Sequence, residues 1–465
     1  MNEYDVVVIG AGPGGYVCAI KASQLGLKAA IVDRQWLGGV CLNVGCIPSK
    51  ALLKNAELAH LLRERAEEFG IEFENLKLDF SSAVARSRQV AERLTRGVAF
   101  LMKKNNIDVV MGTAKVTAVD QVEVKLADGS LQILKAKNIV IATGAHPFVP
   151  PGWEVDGKQV LRFKEAILQT ELPKSVIIIG AGAIGVEFAT VWSSYGTQVT
   201  LVEMLPAVLP LEDAEISAEL TRAFKKRGIQ IHTGSKVESL VKTDKGVEVK
   251  LTTESDTTSL EADQALVAIG FRPNTEGLGL AEVGVTLSPQ AFIEIDERMA
   301  TNVPGIWAVG DVTGKLLLAH VASAQGVICA ENMVGKDSRS LNYQNLPRTT
   351  YCQPQVASFG MTETQAKEAG FEVKVSQFPF QANGKALGLS EPAGFAKIVA
   401  NAKYGEILGG HIIGAEASEL LPELTLAQQN ELTTEQVAHN VHAHPTLSEI
   451  IMEAAEGVEG LSTQI

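Results

Sequence analysis

Cys41 and Cys46, with Leu42, Asn43, Val44 and Gly45 between them, are the residues whose type and spacing most directly suggest chemistry. Joined as a disulfide they would close almost no loop, whereas a stabilising cross-link gains most from closing a long one. A bond between them is therefore expected to be one that is made and broken. Zinc binding is the competing use of such a pair, but a structural site takes about four ligands at recognisable spacings. No second Cys or His pair stands nearby. The pair follows directly on a complete dinucleotide-binding unit, an order that supports a redox-active disulfide beside a flavin. Cys18, Cys329 and Cys352 lack such a setting and are expected as small buried apolar residues.

The elements that must position the pair are legible on both sides of it. Residues 4–9 are a β-branched apolar run, and Gly10-Ala11-Gly12-Pro13-Gly14-Gly15 follows directly before a helical stretch at 16–25. In such a unit the first glycine permits a tight turn, the second lets backbone approach a pyrophosphate, and the third lets the helix pack closely. The helix N-terminus then stabilises the phosphates. Asp33 ends a second apolar strand, 29–32, where a carboxylate accepts hydrogen bonds from a ribose hydroxyl. The pattern recurs as strand 175–179, Gly180-Ala181-Gly182-Ala183-Ile184-Gly185, helix 186–195 and strand 198–202 ending at Glu203. Gly10 stands as far from Asp33 as Gly180 does from Glu203. One glycine motif is weak evidence, but two copies with matched acids imply two dinucleotides, one held tightly and one exchanging. Met204-Leu205-Pro206 rather than arginines follows Glu203, and a carboxylate there repels a 2′-phosphate while bonding a free 2′-hydroxyl. The second site is therefore expected to prefer NAD to NADP.

Runs 138–144 and 263–270 are buried-strand stretches ending in glycine, suited to the last strands of the two nucleotide domains. Residues 306–311 close on Gly310-Asp311, where a carboxylate can bind a ribityl hydroxyl. Residues 146–152 and the Leu172-Pro173 turn suggest the crossover between the nucleotide domains. From Leu346-Pro347 onward, alternating strands such as 395–400 and 407–412 open a further region. The chain has 465 residues, 46% hydrophobic and 20% charged, which suits about three domains with filled cores rather than disorder. A net charge of -13 argues against a nucleic-acid or anionic-membrane partner. Without a cleavable apolar leader or a run long enough to span a bilayer, a cytoplasmic location is expected. Five cysteines are too few and too odd for a secreted disulfide framework.

Together these motifs resemble the flavoprotein disulfide reductases. The first glycine motif, the run from Gly38 through Gly39, Val40, Cys41 and Cys46 to Ser49-Lys50, the second glycine motif, Gly310-Asp311, and His444-Pro445-Thr446-Leu447-Ser448-Glu449 occur in that family's order across essentially the whole chain. Ser49 before Lys50 is similar to the lipoamide branch, whereas glutathione reductases usually carry Lys-Lys there. The C-terminal cysteine pair of mercuric reductases and large thioredoxin reductases has no counterpart in Leu461-Ser462-Thr463-Gln464-Ile465. Val40, Val321 and Gln355 depart from a threonine, a lysine and a glutamate common in the family.

The resemblance implies an α/β fold of two Rossmann-like FAD/NAD(P)-binding domains plus a C-terminal α+β dimerisation domain. Its divisions are 1–147 for FAD, 148–275 for NAD, 276–345 as a central segment completing the FAD part, and 346–465 for the interface. It also implies one tightly bound FAD per subunit, with NAD as co-substrate. Electrons would run from dihydrolipoyl thiols to the Cys41–Cys46 disulfide, then through FAD to NAD, with Cys41 exchanging with the substrate and Cys46 facing the flavin. Exchange needs a thiolate, so a base must take the substrate's proton. His444, oriented by Glu449, is the candidate, although residue type alone does not exclude His439 or His442. In the family this pair comes from the other subunit of a homodimer. Lys50, one helical turn beyond Cys46, would place a cation at the flavin and pair with Glu187.

Further implied FAD contacts are Arg34, Gly39, Val40, Ala114, Ala142, Thr143, Gly144, Leu317, Leu318, Ala319 and His320. On the NAD side they are Ile184, Val237, Gly270 and Arg272. Implied partners are a second copy of the chain, and the lipoyl domains and acyltransferase core of 2-oxo acid dehydrogenase complexes, with a shared role in glycine cleavage. No metal is implied. Two other functions remain beside this one: an NAD-linked reductase of another small disulfide, and a flavin-bearing assembly subunit, which retention of Cys41, Cys46, His444 and Glu449 disfavours.

Overall fold

The computed structural model describes residues 2–254, 256–336 and 340–463. The chain divides into two compact units. One comprises 1–51, 81–148 and 270–343, and the other 52–80, 149–269 and 344–465.

The first unit is built on a parallel sheet in the order Asp108–Ala118, Ala29–Asp33, Asn2–Ile9, Leu131–Ile141 and Ile306–Ala308. Gln121–Leu126 pairs antiparallel with both long strands, 108–118 and 131–141. Val6, Val7 and Val8 are fully buried, as a parallel strand covered on both faces requires. The run at 138–144 is thus an inner strand rather than the last one, because Ile306–Ala308 adds outside it. His146 and Pro147, expected within the crossover at 146–152, instead belong with Ala145 to a strand that pairs antiparallel with Phe271–Pro273. Their unpaired backbone groups find partners that a bare linker would lack.

The second unit repeats the plan. Its parallel sheet runs Gln230–His232, Gln198–Val202, Ser175–Ile179, Gln264–Val267 and Val160–Leu161. An antiparallel sheet of Lys236–Thr243, Gly246–Thr252 and Thr257–Ala262 accompanies it. The C-terminal part of this unit is a five-stranded antiparallel sheet in the order Arg348–Thr350, Gln355–Gly360, Ile407–Gly414, Phe395–Asn401 and Val373–Pro379. The helix Glu449–Val458 buries Ile450, Ile451, Ala454, Ala455 and Val458, one face at helical spacing, in the core of that sheet. Its first residue, Glu449, is held at the domain's rim by that packing.

Both glycine turns have the same geometry. Gly10 and Gly180 have φ of +107° and +106°, and their N–H groups donate to Val32 O and Val202 O at 2.7 and 2.8 Å. The helices start earlier than the apolar pattern suggests, at Pro13 and Ala183. Pro13 sets φ for the first turn, so Gly14 and Gly15 lie inside the helix. A Cβ on Gly15 would stand 1.9 Å from Gly10 O, and one on Gly185 1.9 Å from Gly180 O. A Cβ on Gly12 or Gly182 would meet nothing within 4 Å. Gly185→Ala should therefore cost about 1–3 kcal/mol through forced backbone movement, whereas Gly182→Ala should stay within about 0.5 kcal/mol. Calorimetric unfolding of the two variants checks this, and equal stability would contradict the packing account.

Candidate functional site

Cys41 sits on a short helix, Gly39–Val44, that begins on the first glycine turn. Gly38, left-handed at φ +83°, donates its N–H to Ala11 O at 2.8 Å, and a Cβ on Gly39 would lie 2.6 Å from Gly12 Cα. Gly45 ends this helix and Cys46 opens the next, Cys46–His60. Asn43 ties the segment down, its Nδ2 donating to Leu37 O and Gly39 O at 2.9 Å each, while Thr95 Oγ1 donates to its Oδ1 at 3.3 Å. Beside it lies a cavity of about 300 Å³ lined by Asn43, Arg88, Glu92, Thr95 and Arg96.

Both cysteines are half-buried, and their thiols hydrogen-bond each other. The hydrogen bond between Cys41 and Cys46, then burial, then the charge of a Cys46 thiolate push the Cys41 thiol far up, while the Lys50 ammonium opposes them. A second proton is therefore hard to remove from the reduced pair. Tyr16, which no motif singles out, is half-buried beside both sulfurs. Burial, then Cys41 and Cys46, raise its phenol.

The acids after each second strand hold the turns themselves. Asp33 Oδ2 accepts from Ala11 N–H at 2.7 Å, and its Oδ1 from Gln35 and Trp36 N–H at 2.7 and 2.9 Å. Glu203 Oε2 accepts from Ala181 N–H at 2.8 Å, and its Oε1 from Leu205 N–H at 2.9 Å. Neither following helix has a side-chain cap on its N-terminus. Open space in front of Gly12 and Gly182, together with those free first-turn N–H groups, fits the pyrophosphate of a dinucleotide at each turn.

Thr143 and Gly144 are held by Asn274, another residue the motifs did not reveal. Thr143 Oγ1 donates to Asn274 O at 2.7 Å, Asn274 Nδ2 to Thr143 O at 2.9 Å, and Asn274 N–H to Gly144 O at 2.9 Å. Gly310, at φ +79°, donates to the Oε1 of buried Gln325 at 2.6 Å, setting the backbone of Asp311. Ala142 is buried and Ala114 packs within the apolar core, so only backbone atoms of Ala114 are available to a ligand. Leu317 and Leu318 lead into the helix Ala319–Met333, which begins with Ala319-His320. Val321 is buried in that first turn, where a lysine would need a partner. Arg34 and Val40 are exposed, and the Arg272 guanidinium lies 4.6 Å from the Phe148 ring centroid, in the ribbon that follows Gly270. In the second unit Glu187 is buried and accepts from Tyr351 N–H at 3.0 Å. Ile184 is half-buried, and Val237 packs against the apolar core.

The C-terminal histidines have distinct surroundings. His442 engages both ring nitrogens, Nε2 with Glu423 Oε2 at 3.0 Å and Nδ1 with Asn440 O at 2.7 Å. His444 Nδ1 donates to Glu449 Oε1 at 2.9 Å, and its side chain is 78% exposed. Nε2 is then the nitrogen available to a proton. Burial works to raise the Glu449 carboxyl, but the Thr446 N–H, His444 and His442 together hold it below its ordinary value. Gln355 accepts from Ser418 Oγ at 2.9 Å. Among the described residues no three His, Cys, Asp or Glu are grouped to hold a metal ion, and no helix is long and apolar enough to cross a membrane.

A dithiol on the rim of one dinucleotide turn, with a second such turn in the same chain, defines a nucleotide-linked thiol oxidoreductase. The chain matches the pyridine nucleotide-disulphide oxidoreductase family over residues 4–326 and that family's dimerisation domain over 346–455. It is 51% identical to a dihydrolipoyl dehydrogenase of Mycobacterium leprae, covering 99% of both chains, and 48% identical to one of Corynebacterium glutamicum, covering 99% and 98%. Its fold matches the crystal structure of LpdA from Mycobacterium tuberculosis with a TM-score of 0.92 at 28% identity, over 98% of this chain and all of that one. It also matches the HOCl-induced flavoprotein disulfide reductase RclA from Escherichia coli, with a TM-score of 0.86 at 26% identity over 97% and 99%. The chain belongs to the pyridine nucleotide-disulphide oxidoreductase family. As a member it is an FAD-dependent oxidoreductase with NAD as its nicotinamide substrate.

Burial pushes the Asp311 carboxyl up to about 6. A folded-state value above the unfolded one means the folded chain retains the proton through the window from about 4 to 6, and loses stability as pH rises through it. Removing that penalty, Asp311→Asn should gain on the FAD-free wild type as pH goes from 5 to 7. Thermal unfolding at the two pH values measures the gap, and a constant gap would mean that burial does not burden the carboxylate.

Proposed function

We propose that the chain oxidises dihydrolipoyl groups to lipoyl disulfides and reduces NAD to NADH, working as a homodimer on the lipoyl domains of 2-oxo acid dehydrogenase complexes in the cytoplasm. The observation that carries this reading is the Cys41–Cys46 pair set on the first glycine turn, in a chain about half identical to dihydrolipoyl dehydrogenases over its full length.

In the oxidised enzyme one substrate thiolate attacks Cys41 Sγ, the Cys41–Cys46 bond breaks, and Cys46 leaves as a thiolate. The second substrate sulfur then displaces Cys41, so that the lipoyl disulfide departs and the enzyme holds two electrons as a dithiol. His444 Nε2 takes the proton of the attacking thiol, while Glu449 holds Nδ1–H and stabilises the imidazolium. Lys50 opposes the build-up of negative charge at the sulfurs. Bound FAD supplies the two-electron relay from the dithiol to NAD. A base as exposed as His444, on the rim of a dimerisation domain, suits a site shared between two copies.

Anaerobic addition of dihydrolipoamide and NAD to the purified protein should produce NADH, and turnover only with glutathione, coenzyme A or mycothiol-like disulfides would overturn the reading. His444→Ala should lower lipoamide turnover by about 10²–10⁴-fold while NADH oxidation by an artificial acceptor persists. Parallel losses in both assays would instead indicate a disturbed fold. Replacing Glu203 and introducing arginine beside it should move preference toward NADP, at the cost of the Ala181 hydrogen bond. Ratios of kcat/KM for NAD and NADP report the shift, and a wild type already favouring NADP would refute the carboxylate argument.

A further inference from the structure

A buried cation in the C-terminal sheet connects to the second glycine turn through successive hydrogen bonds. Lys397 lies in the strand Phe395–Asn401, its side chain 2% exposed. Its Nζ is 3.0 and 3.2 Å from the two Asp213 carboxylate oxygens and 3.1 Å from Glu363 Oε2, and it also bonds Glu215 Oε2. The three N–H donors of an ammonium are thus matched by three carboxylates. Burial works against the ammonium, but Glu215, Asp213 and Glu363 together hold it above the ordinary lysine range. Gln377 Nε2 donates to Glu215 Oε2 at 2.5 Å, and Lys367 lies 2.5 Å from Glu363. His411, fully buried nearby, has Nε2 2.9 Å from Met361 O, and burial pushes it below its ordinary value, so it adds no cation.

Asp213 is also the N-cap of the helix Ala214–Lys226, accepting from Glu215 N–H at 3.1 Å. Residues 204–212 lead to that cap from Glu203. Among them Leu209 has φ +47°, a left-handed conformation that costs a leucine about 1 kcal/mol or more. Three hydrogen bonds hold it there. Its N–H donates to Ala181 O at 2.9 Å, and its carbonyl accepts from Glu212 N–H at 3.0 Å and Ser217 Oγ at 3.1 Å. Ala181, inside the glycine turn, in turn donates to Glu203 Oε2. The cation holds the cap, the cap and Ser217 hold the strained loop, and the loop holds the turn and its acid.

We propose that Lys397 is a positioning residue for NAD, keeping residues 204–212, the turn at 180–182 and the Glu203 carboxylate in the arrangement that binds the adenosine half of the dinucleotide. The proposal rests on the assignment of the second turn to NAD. Without the ammonium, the buried Asp213 carboxylate faces Glu215 and Glu363 with no cation between them, the start of the helix shifts, and Leu209 relaxes from its left-handed conformation. The consequence falls on dinucleotide binding and leaves thiol exchange intact.

The test compares Lys397→Met and Lys397→Arg holoenzymes with wild type. Lys397→Met should weaken NAD binding by roughly tenfold to a hundredfold, the equivalent of releasing strain of that order. Isothermal calorimetry with NAD on the oxidised holoenzyme reads this whatever the thiol substrate is, so failure of the lipoamide reading leaves the result interpretable. KM for NAD should rise far more than kcat falls, single-turnover flavin reduction by dihydrolipoamide should be unchanged, and Lys397→Arg should recover most of the affinity. Wild-type NAD affinity in Lys397→Met, or an equal loss in the NAD and dithiol half-reactions, would overturn the proposal. Should Lys397→Met not fold, Lys397→Gln takes its place, a neutral side chain that keeps an N–H donor among the carboxylates. It should show a similar affinity loss, and wild-type affinity in it would also overturn the proposal.

Discussion

The hydrogen bond from Ala11 N–H to the Asp33 carboxylate, repeated from Ala181 to Glu203, is the constraint on which both nucleotide folds depend. A backbone turned back by a positive-φ glycine leaves an N–H that no strand can satisfy, and a carboxylate from the neighbouring strand end satisfies it. Each acid braces the turn with one carboxylate oxygen and the backbone that follows its own strand with the other. Because each acid ends the strand beside the turn, its carboxylate arrives at the right height without a separate device. The redox helix inherits this order, since its starting residue, Gly38, bonds to Ala11 O within the same braced turn.

From that foundation the two thiols differ only through their surroundings. Cys41 stands within the first short helix, which ends at Val44, and Cys46 opens the next, with Gly45 between the two helices. Once reduced, the pair keeps one proton strongly, because a second negative charge would sit half-buried beside the first and the Lys50 ammonium offsets it only in part. Proton traffic must then be handled by a group outside the pair. The His444–Glu449 couple has the geometry for it: one imidazole nitrogen is anchored and the other left clear of Glu449, which opens a helix whose apolar face is locked in the C-terminal core. His442 lacks it, since both its nitrogens are engaged.

The motif residues were legible because each is demanded by a local rule: glycine where φ is positive or a Cβ would strike a carbonyl, an acid at a strand end, cysteines flanking a turn. Strands 175–179 and 198–202 coincide with their apolar runs for the same reason, since a buried parallel strand must be apolar on both faces. The helix starts were misplaced because Gly14 and Gly15 look like turn residues until proline and close packing draw them into the first turn. The ribbon of 145–147 with 271–273, and Asn274 bridging Thr143 and Gly144, were invisible because their partners are distant in the chain and of ordinary residue types.

The sequence by itself determined the doubled nucleotide plan and marked the cysteine pair and Glu203 as the candidates for thiol exchange and NAD preference, because these follow from short-range backbone sterics and from charge adjacent to a motif. Only the tertiary structure decided that His442 engages both ring nitrogens while His444 anchors one on Glu449, that Asp33 and Glu203 brace the turns they serve, and that Lys397 gathers three carboxylates at the cap of the helix Ala214–Lys226. Those depend on which side chains meet across separate elements and on how much water remains between them. Packing sets both quantities, and neither spacing nor composition encodes them locally.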